Sequence, residues 1–76
     1  MRVNPLRAHL EAISETETAF AARAGLSQSF LSRLISGERE ADASLLARFE
    51  DVSGGAVTPS AWVRWWRTRP VQEESV

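Results

Sequence analysis

Gln28, Ser29, Ser32 and Arg33 are the residues of this 76-residue chain whose types and spacing could do chemistry. On a helix these four positions share one side. The run Gln28 to Ser36 around them contains no aspartate or glutamate. That side would present an amide, hydroxyls and a guanidinium. Their chemistry is recognition: a Gln amide pairs with an adenine edge and an Arg guanidinium with a guanine edge in a major groove, while serine hydroxyls reach bases or phosphates. Catalysis has no comparable starting point. The chain has one histidine, His9, and no cysteine. It lacks a nucleophile–base spacing, a metal-ligand cluster and a phosphate-binding glycine loop, and it is too short for a deep pocket. The reading is therefore not an enzyme, with no cofactor, metal or small-molecule ligand. His9 reads as a half-exposed helix residue.

The elements that must position this face are two short helices and a tight turn. Thr16 caps a helix from Glu17 to about Ala24, with Phe20, Ala21 and Ala24 on one side. Gly25 stops it, since the chain must turn sharply there. Leu26 plugs the turn from below and Ser27 caps the second helix, Gln28 to about Ser36, which buries Leu31, Leu34 and Ile35 and ends at Gly37. The small Ala21 lets the two helices approach closely where they cross.

The spacing Ala-x-x-x-Gly-Leu-Ser-Gln-Ser-x-Leu-Ser-Arg-Leu, from Ala21 to Leu34, with Gly37 and Arg39 after it, resembles the helix-turn-helix of the lambda-repressor-like (Cro/C1-type) DNA-binding family. The later stretch LLARFEDVSGGAVTPSAW is similar to the second half of its YdaS-type antitoxin-like members. The two resemblances cover roughly residues 5–62. They imply an all-α, five-helix domain with the helix-turn-helix at helices 2 and 3. They also imply transcription regulation of prophage or toxin–antitoxin type, by a homodimeric repressor on a pseudo-palindromic operator. The implied base contacts are Gln28, Ser29, Ser32 and Arg33; the implied backbone contacts are Ser27, Phe30, Arg39 and Arg23. Phe30 is open between a thymine methyl, a sugar and shielding of the motif. Arg39 is read as a phosphate contact, against a surface pairing with Glu38 or Glu40. Glu17 departs from the family, which often has Gln there; its carboxylate suits a helix N-terminus but repels a phosphate.

Before the motif, Asn4-Pro5 starts a helix running to about Ile13, with Leu6, Leu10 and Ile13 as its core stripe and Arg7 pairing with Glu11. After it, Asp42 caps a helix from about Ala43 to Val52 whose apolar side is Leu45, Leu46, Phe49 and Val52. Ser53-Gly54-Gly55 ends that helix, Val57 anchors the loop, and Thr58-Pro59 opens a fifth helix to about Arg67 or Thr68. Residues 4–69 form one domain, and 70–76 read as a short acidic, disordered tail.

Three tryptophans, Trp62, Trp65 and Trp66, fall on one side of the fifth helix. Each covers roughly 200 Å² when packed, more than so small a domain is expected to hide. Trp62, Trp65 and Trp66 are therefore read as the dimer interface, with Trp62 turned inward on Val57 and Phe49 and Trp65 or Trp66 at the contact. Arg64, Arg67 and Arg69 around them read as solvated charges, with snorkelling over the rings or phosphate contacts as alternatives.

Charge is the main objection to a duplex partner. Nine arginines face ten acids, for a net charge of −1, where nucleic-acid binders are usually basic. Without Glu73 and Glu74 the balance is nine to eight, and local potential matters more than the sum. The rival reading is a protein-binding antitoxin or adaptor that grips a toxin through the tryptophan helix and the acidic tail; RNA polymerase is a further protein partner considered for the regulator. MRVNPLRAHL lacks the apolar run of a signal peptide, and no stretch reaches membrane-helix length. A cytoplasmic, nucleoid-associated protein with no membrane partner is expected.

Overall fold

Each helix in this chain begins at a side chain that accepts a hydrogen bond from the first turn. The computed structural model describes residues 3–69. They form α1 (Pro5–Ile13), α2 (Glu17–Ala24), α3 (Gln28–Ser36), α4 (Ala43–Val52) and α5 (Pro59–Thr68), with no strand among the described residues. Asn4 Oδ1 accepts from the N–H groups of Leu6 and Arg7 at 2.8 and 3.1 Å. Thr16, Ser27, Asp42 and Thr58 each accept from the third residue of their own helices at 2.8–3.2 Å. A cap of this kind stabilises by about 0.5–2 kcal/mol, which matters for helices of 8–10 residues. The acidic tail read over 70–76 lies outside the described residues.

Helix ends repeat one device. At α2, Leu26 N–H donates to Ala21 C=O at 2.8 Å and Gly25 N–H to Ala22 C=O, with Gly25 at φ 75°. At α3, Glu38 N–H donates to Arg33 C=O at 3.0 Å, with Gly37 at φ 88°. These are Schellman closures, which need a left-handed residue at the turn. The end of α1 closes the same way, Glu15 N–H to Leu10 C=O at 2.9 Å, but the left-handed residue is Ser14 at φ 57°. Arg48 on α4 adds a side-chain cap to α2, donating to the Ala24 carbonyl at 3.1 Å.

The core is a line of aromatic rings bordered by aliphatics. Phe20 of α2 lies 6.0 Å from Phe49 of α4, Phe49 lies 5.3 Å from Trp62 of α5, and Trp62 lies 5.3 Å from Trp65. Leu6, Leu10, Leu31, Leu34, Ile35, Leu46 and Val57 complete the cluster. All the helices therefore share one centre. Trp62 Nε1 and Asn4 Nδ2 are buried without a hydrogen-bond partner. Such a group costs roughly 1–3 kcal/mol, so the area buried by the Trp62 ring outweighs its idle N–H.

Three expectations need correction. Trp62 and Trp65 are 1% and 4% exposed, so neither offers area to a second copy; Trp62 is turned inward on Phe49 as expected, and Trp65 packs beside it at 5.3 Å. Ile13 is 50% exposed, because α1 ends there and the Ser14 turn begins before its side chain can reach the core. Arg7 pairs with Glu17 of α2 at 3.4 Å rather than with Glu11.

Candidate nucleic-acid interface

The buried positions of α3 determine which side it shows to solvent. Leu31, Leu34 and Ile35 are all within the core, so the opposite side carries Gln28, Ser29 and Arg33, all exposed, and Ser32, half-buried. The four residues expected to contact bases thus lie together on one outward face. Among the described residues, the side chains of Ser29, Ser32 and Arg33 take no hydrogen bond from the protein. Their hydrogen-bonding groups face solvent.

At the start of α3 the backbone adds a second feature. Ser27 Oγ accepts from Phe30 N–H at 3.1 Å, leaving its own O–H free to donate. The N–H groups of Gln28 and Ser29 have no partner within the helix, as the first turn requires. Two backbone donors, a hydroxyl and the positive end of the helix dipole therefore lie at this end of α3.

Arg39 flanks this face. The Schellman turn at Gly37 sends the chain back along α3, and the Arg39 guanidinium lies 5.3 Å from the Phe30 ring centroid. Neither acid beside it is its partner: the Glu38 carboxylate accepts from Ser36 Oγ at 3.2 Å, and the described ion pairs are Arg7–Glu17 and Arg23–Glu15. The ring holds the cation in place without neutralising it. Phe30 is half-buried against the core and so serves as that platform.

Arg23 is placed differently from expectation. Its Nε and Nη2 donate to the two oxygens of Glu15 at 2.9 and 2.6 Å, and Nη1 donates to the Val52 carbonyl at 3.3 Å. Those hydrogen bonds hold the Glu15 carboxyl below its ordinary pKa, opposed by desolvation and helped further by the charges of Arg23 and His9. Arg23 is raised in turn, chiefly by the same hydrogen bonds. A guanidinium committed on three sides to the α1–α2 link and the end of α4 is a structural clamp. As a DNA-backbone contact Arg23 would have to act from within this pair, its side chain still 48% exposed.

The sequence reading also missed what happens to Gln28. Its Nε2 donates to Glu17 Oε1 at 3.2 Å, while Arg7 Nη2 donates to Glu17 Oε2. Arg7, Glu17 and Gln28, the last two at the first positions of α2 and α3, form one chain of contacts across three helices. Only the crossing of α2 and α3 brings residues 17 and 28 together.

At the other end of α3, Arg69 lies over Trp66 with its guanidinium carbon 3.5 Å from the ring centroid, and donates to the Trp66 carbonyl at 2.6 Å. Of the alternatives for Arg69, the snorkelling arrangement is the one present. Its stem passes so close to Gly37 that a Cβ there would lie 2.9 Å from Arg69 Cδ. Arg64 and Arg67 are exposed. With Arg33 and Arg39 they are the cations that have neither a carboxylate nor a carbonyl partner among the described residues.

No described helix is long and apolar enough to cross a membrane. Comparison of the chain with protein-family models, curated proteins and solved structures returns no match. The reading of this face therefore rests on its own geometry and on the motif spacing.

Proposed function

We propose that this chain is a sequence-specific double-stranded-DNA-binding regulator of lambda-repressor-like architecture, in which α3 enters the major groove by its N-terminal half. One observation carries the reading: an acid-free helix face of Gln28, Ser29, Ser32 and Arg33 whose polar groups are largely unspent within the protein, set beside an un-neutralised Arg39. Gln28 reads adenine and Arg33 reads guanine; Ser27, Arg39 and the α3 N-terminus grip phosphates, and Phe30 holds Arg39 in position. Burial of Trp62 and Trp65 weakens the rival protein-adaptor reading, which relied on an exposed tryptophan face.

The regulator acts as a homodimer in the cytoplasm, on half-sites roughly 34 Å apart along a pseudo-palindrome. The surface left for the second copy is smaller than the tryptophan count suggested. It comprises half-buried Trp66 and Val63, which is 38% exposed. Selection of bound sequences from a random duplex pool tests the proposal. A two-fold symmetric motif is the expected result. Retention without any enriched sequence, or no retention at physiological salt, would refute it.

A further inference from the structure

Arg39 is an exposed cation without a carboxylate partner among the described residues, and the Phe30 ring holds it beside α3. The acids next to it in sequence leave it so: Glu38 accepts from Ser36 Oγ, and Glu40 makes no ion pair among the described residues. A guanidinium in this condition accepts either kind of oxyanion, a phosphate or a carboxylate. The chain carries carboxylates of its own that could reach it. Residues 70–76, PVQEESV, contain Glu73 and Glu74 and no basic residue. Acidic segments of this sort act as interaction tails.

The described chain gives way to that segment close to Arg39. A Cβ on Gly37 would lie 2.9 Å from Arg69 Cδ and 3.6 Å from the Trp65 ring, so the end of α5 abuts the turn that closes α3. Arg39 follows Gly37 by two residues, within about 8 Å along the chain. Glu73 and Glu74 follow Arg69 by four and five residues, a length that spans at most roughly 13–18 Å before the side chains add their own reach. Arg64 and Arg67 are worse placed: they project from α5 opposite the buried Trp62 and Trp65, away from Gly37. We propose that the acidic segment 70–76 docks in cis on Arg39, with Glu73 and Glu74 standing where a DNA phosphate would stand. A duplex must then displace the chain's own carboxylates to gain that contact. Tethering gives the segment an effective concentration on the order of millimolar, but surface ion pairs are individually weak. The result is a uniform reduction in affinity for every duplex, not a block. This proposal rests on the duplex-binding reading for its competitor and adds to it a means of regulating the phosphate contact.

The test compares the full chain as wild type, Glu73→Gln/Glu74→Gln, Arg39→Ala and the triple variant, with thermal melts to confirm folding. Without DNA, NMR follows the side-chain Nε–H resonance of Arg39, identified by its loss in Arg39→Ala. That resonance should move when the two glutamates are neutralised, by the same amount at every protein concentration. Fluorescence anisotropy then measures binding to a selected duplex and to a scrambled one. Glu73→Gln/Glu74→Gln should bind both about 2- to 10-fold more tightly, with the preference between them unchanged. In the Arg39→Ala background the same pair of substitutions should gain nothing. An unmoved Arg39 resonance would overturn the proposal. An equal gain in the Arg39→Ala background would also overturn it, since general charge repulsion would then explain the effect. A shift that grows with protein concentration would place the segment on a second copy and overturn docking in cis. A moving resonance with no retention of any duplex would support the docking and overturn the DNA-binding reading instead.

Discussion

Gly25 and Gly37 occupy the same place in the same kind of turn, so replacing each with alanine separates backbone strain from crowding. Both are left-handed, at φ 75° and 88°, and an L-residue there costs about 1–2 kcal/mol. A Cβ on Gly25 would meet Arg48 Nη1 at 3.7 Å, an ordinary contact. On Gly37 it would meet Arg69 Cδ at 2.9 Å and Nε at 3.3 Å. Arg69 would have to leave Trp66. It would then forfeit a cation–π contact worth about 0.5–2 kcal/mol and a hydrogen bond worth about 0.5–1.5 kcal/mol. Gly25→Ala should thus cost about 1–2 kcal/mol and Gly37→Ala about 2–5.5 kcal/mol. A domain of this size has roughly 4–11 kcal/mol to lose, so both remain measurable. Arg69→Ala alone should cost about 1–3.5 kcal/mol. The double variant Gly37→Ala/Arg69→Ala should be no less stable than Gly37→Ala, because the arginine's contribution is already gone. Urea denaturation followed by tryptophan emission and circular dichroism measures the cycle. Additive costs, or equal losses at Gly25 and Gly37, would show that Arg69 does not pack on the turn.

Other perturbations probe separate parts of the molecule. Arg33→Ala should weaken binding to the selected site by about 1–3 kcal/mol per protomer and relax preference at one base pair, with the melting temperature unchanged; unaltered affinity in anisotropy titrations would mean that the recognition face is misassigned. Arg39→Ala should weaken binding to all duplexes alike and reduce the slope of log K against log salt by about 0.9 per copy. Ser14→Gly should raise stability by up to about 1 kcal/mol, because glycine accepts the left-handed turn without a Cβ clash; a lower denaturation midpoint would contradict the described turn. Glu15 titrates below its ordinary range when folded, so the unfolded chain takes up its proton first as pH falls. The clamp's stability is therefore full above the unfolded value and is lost as pH drops through the folded one. Glu15→Gln should flatten the acid limb of stability against pH, and an unchanged limb would exclude the Arg23 pairing.

Helix positions were legible because the local chemistry is unambiguous. Asn4, Thr16, Ser27, Asp42 and Thr58 each stand directly before an apolar repeat, and each proves to be an N-cap. The outward side of α3 was legible for a similar reason, since Leu31, Leu34 and Ile35 leave it a single direction to face. What could not be read depends on distances across the fold. Glu15 finds Arg23, Glu17 finds Gln28 and Arg7, and Arg69 finds Gly37 only after the helices have crossed. Helical spacing predicts Arg7–Glu11, and the tertiary partner 10 residues away prevails instead. Trp65 failed as a dimer surface because counting side chains does not show that its ring packs beside Trp62 in the core. Ile13 failed because a stripe counted along a helix does not reveal that the next residue turns away.

The line of rings from Phe20 to Trp65 has a consequence for the order in which this protein can be made. Its last members leave the ribosome after everything they support. Until they arrive, Phe20 and Phe49 have no stacking neighbour beyond each other, and a nascent chain ending before Trp62 would carry the recognition segment without its centre. The domain should therefore stay non-committal through most of its synthesis and snap shut late. A product truncated before Trp62 should not persist against proteases.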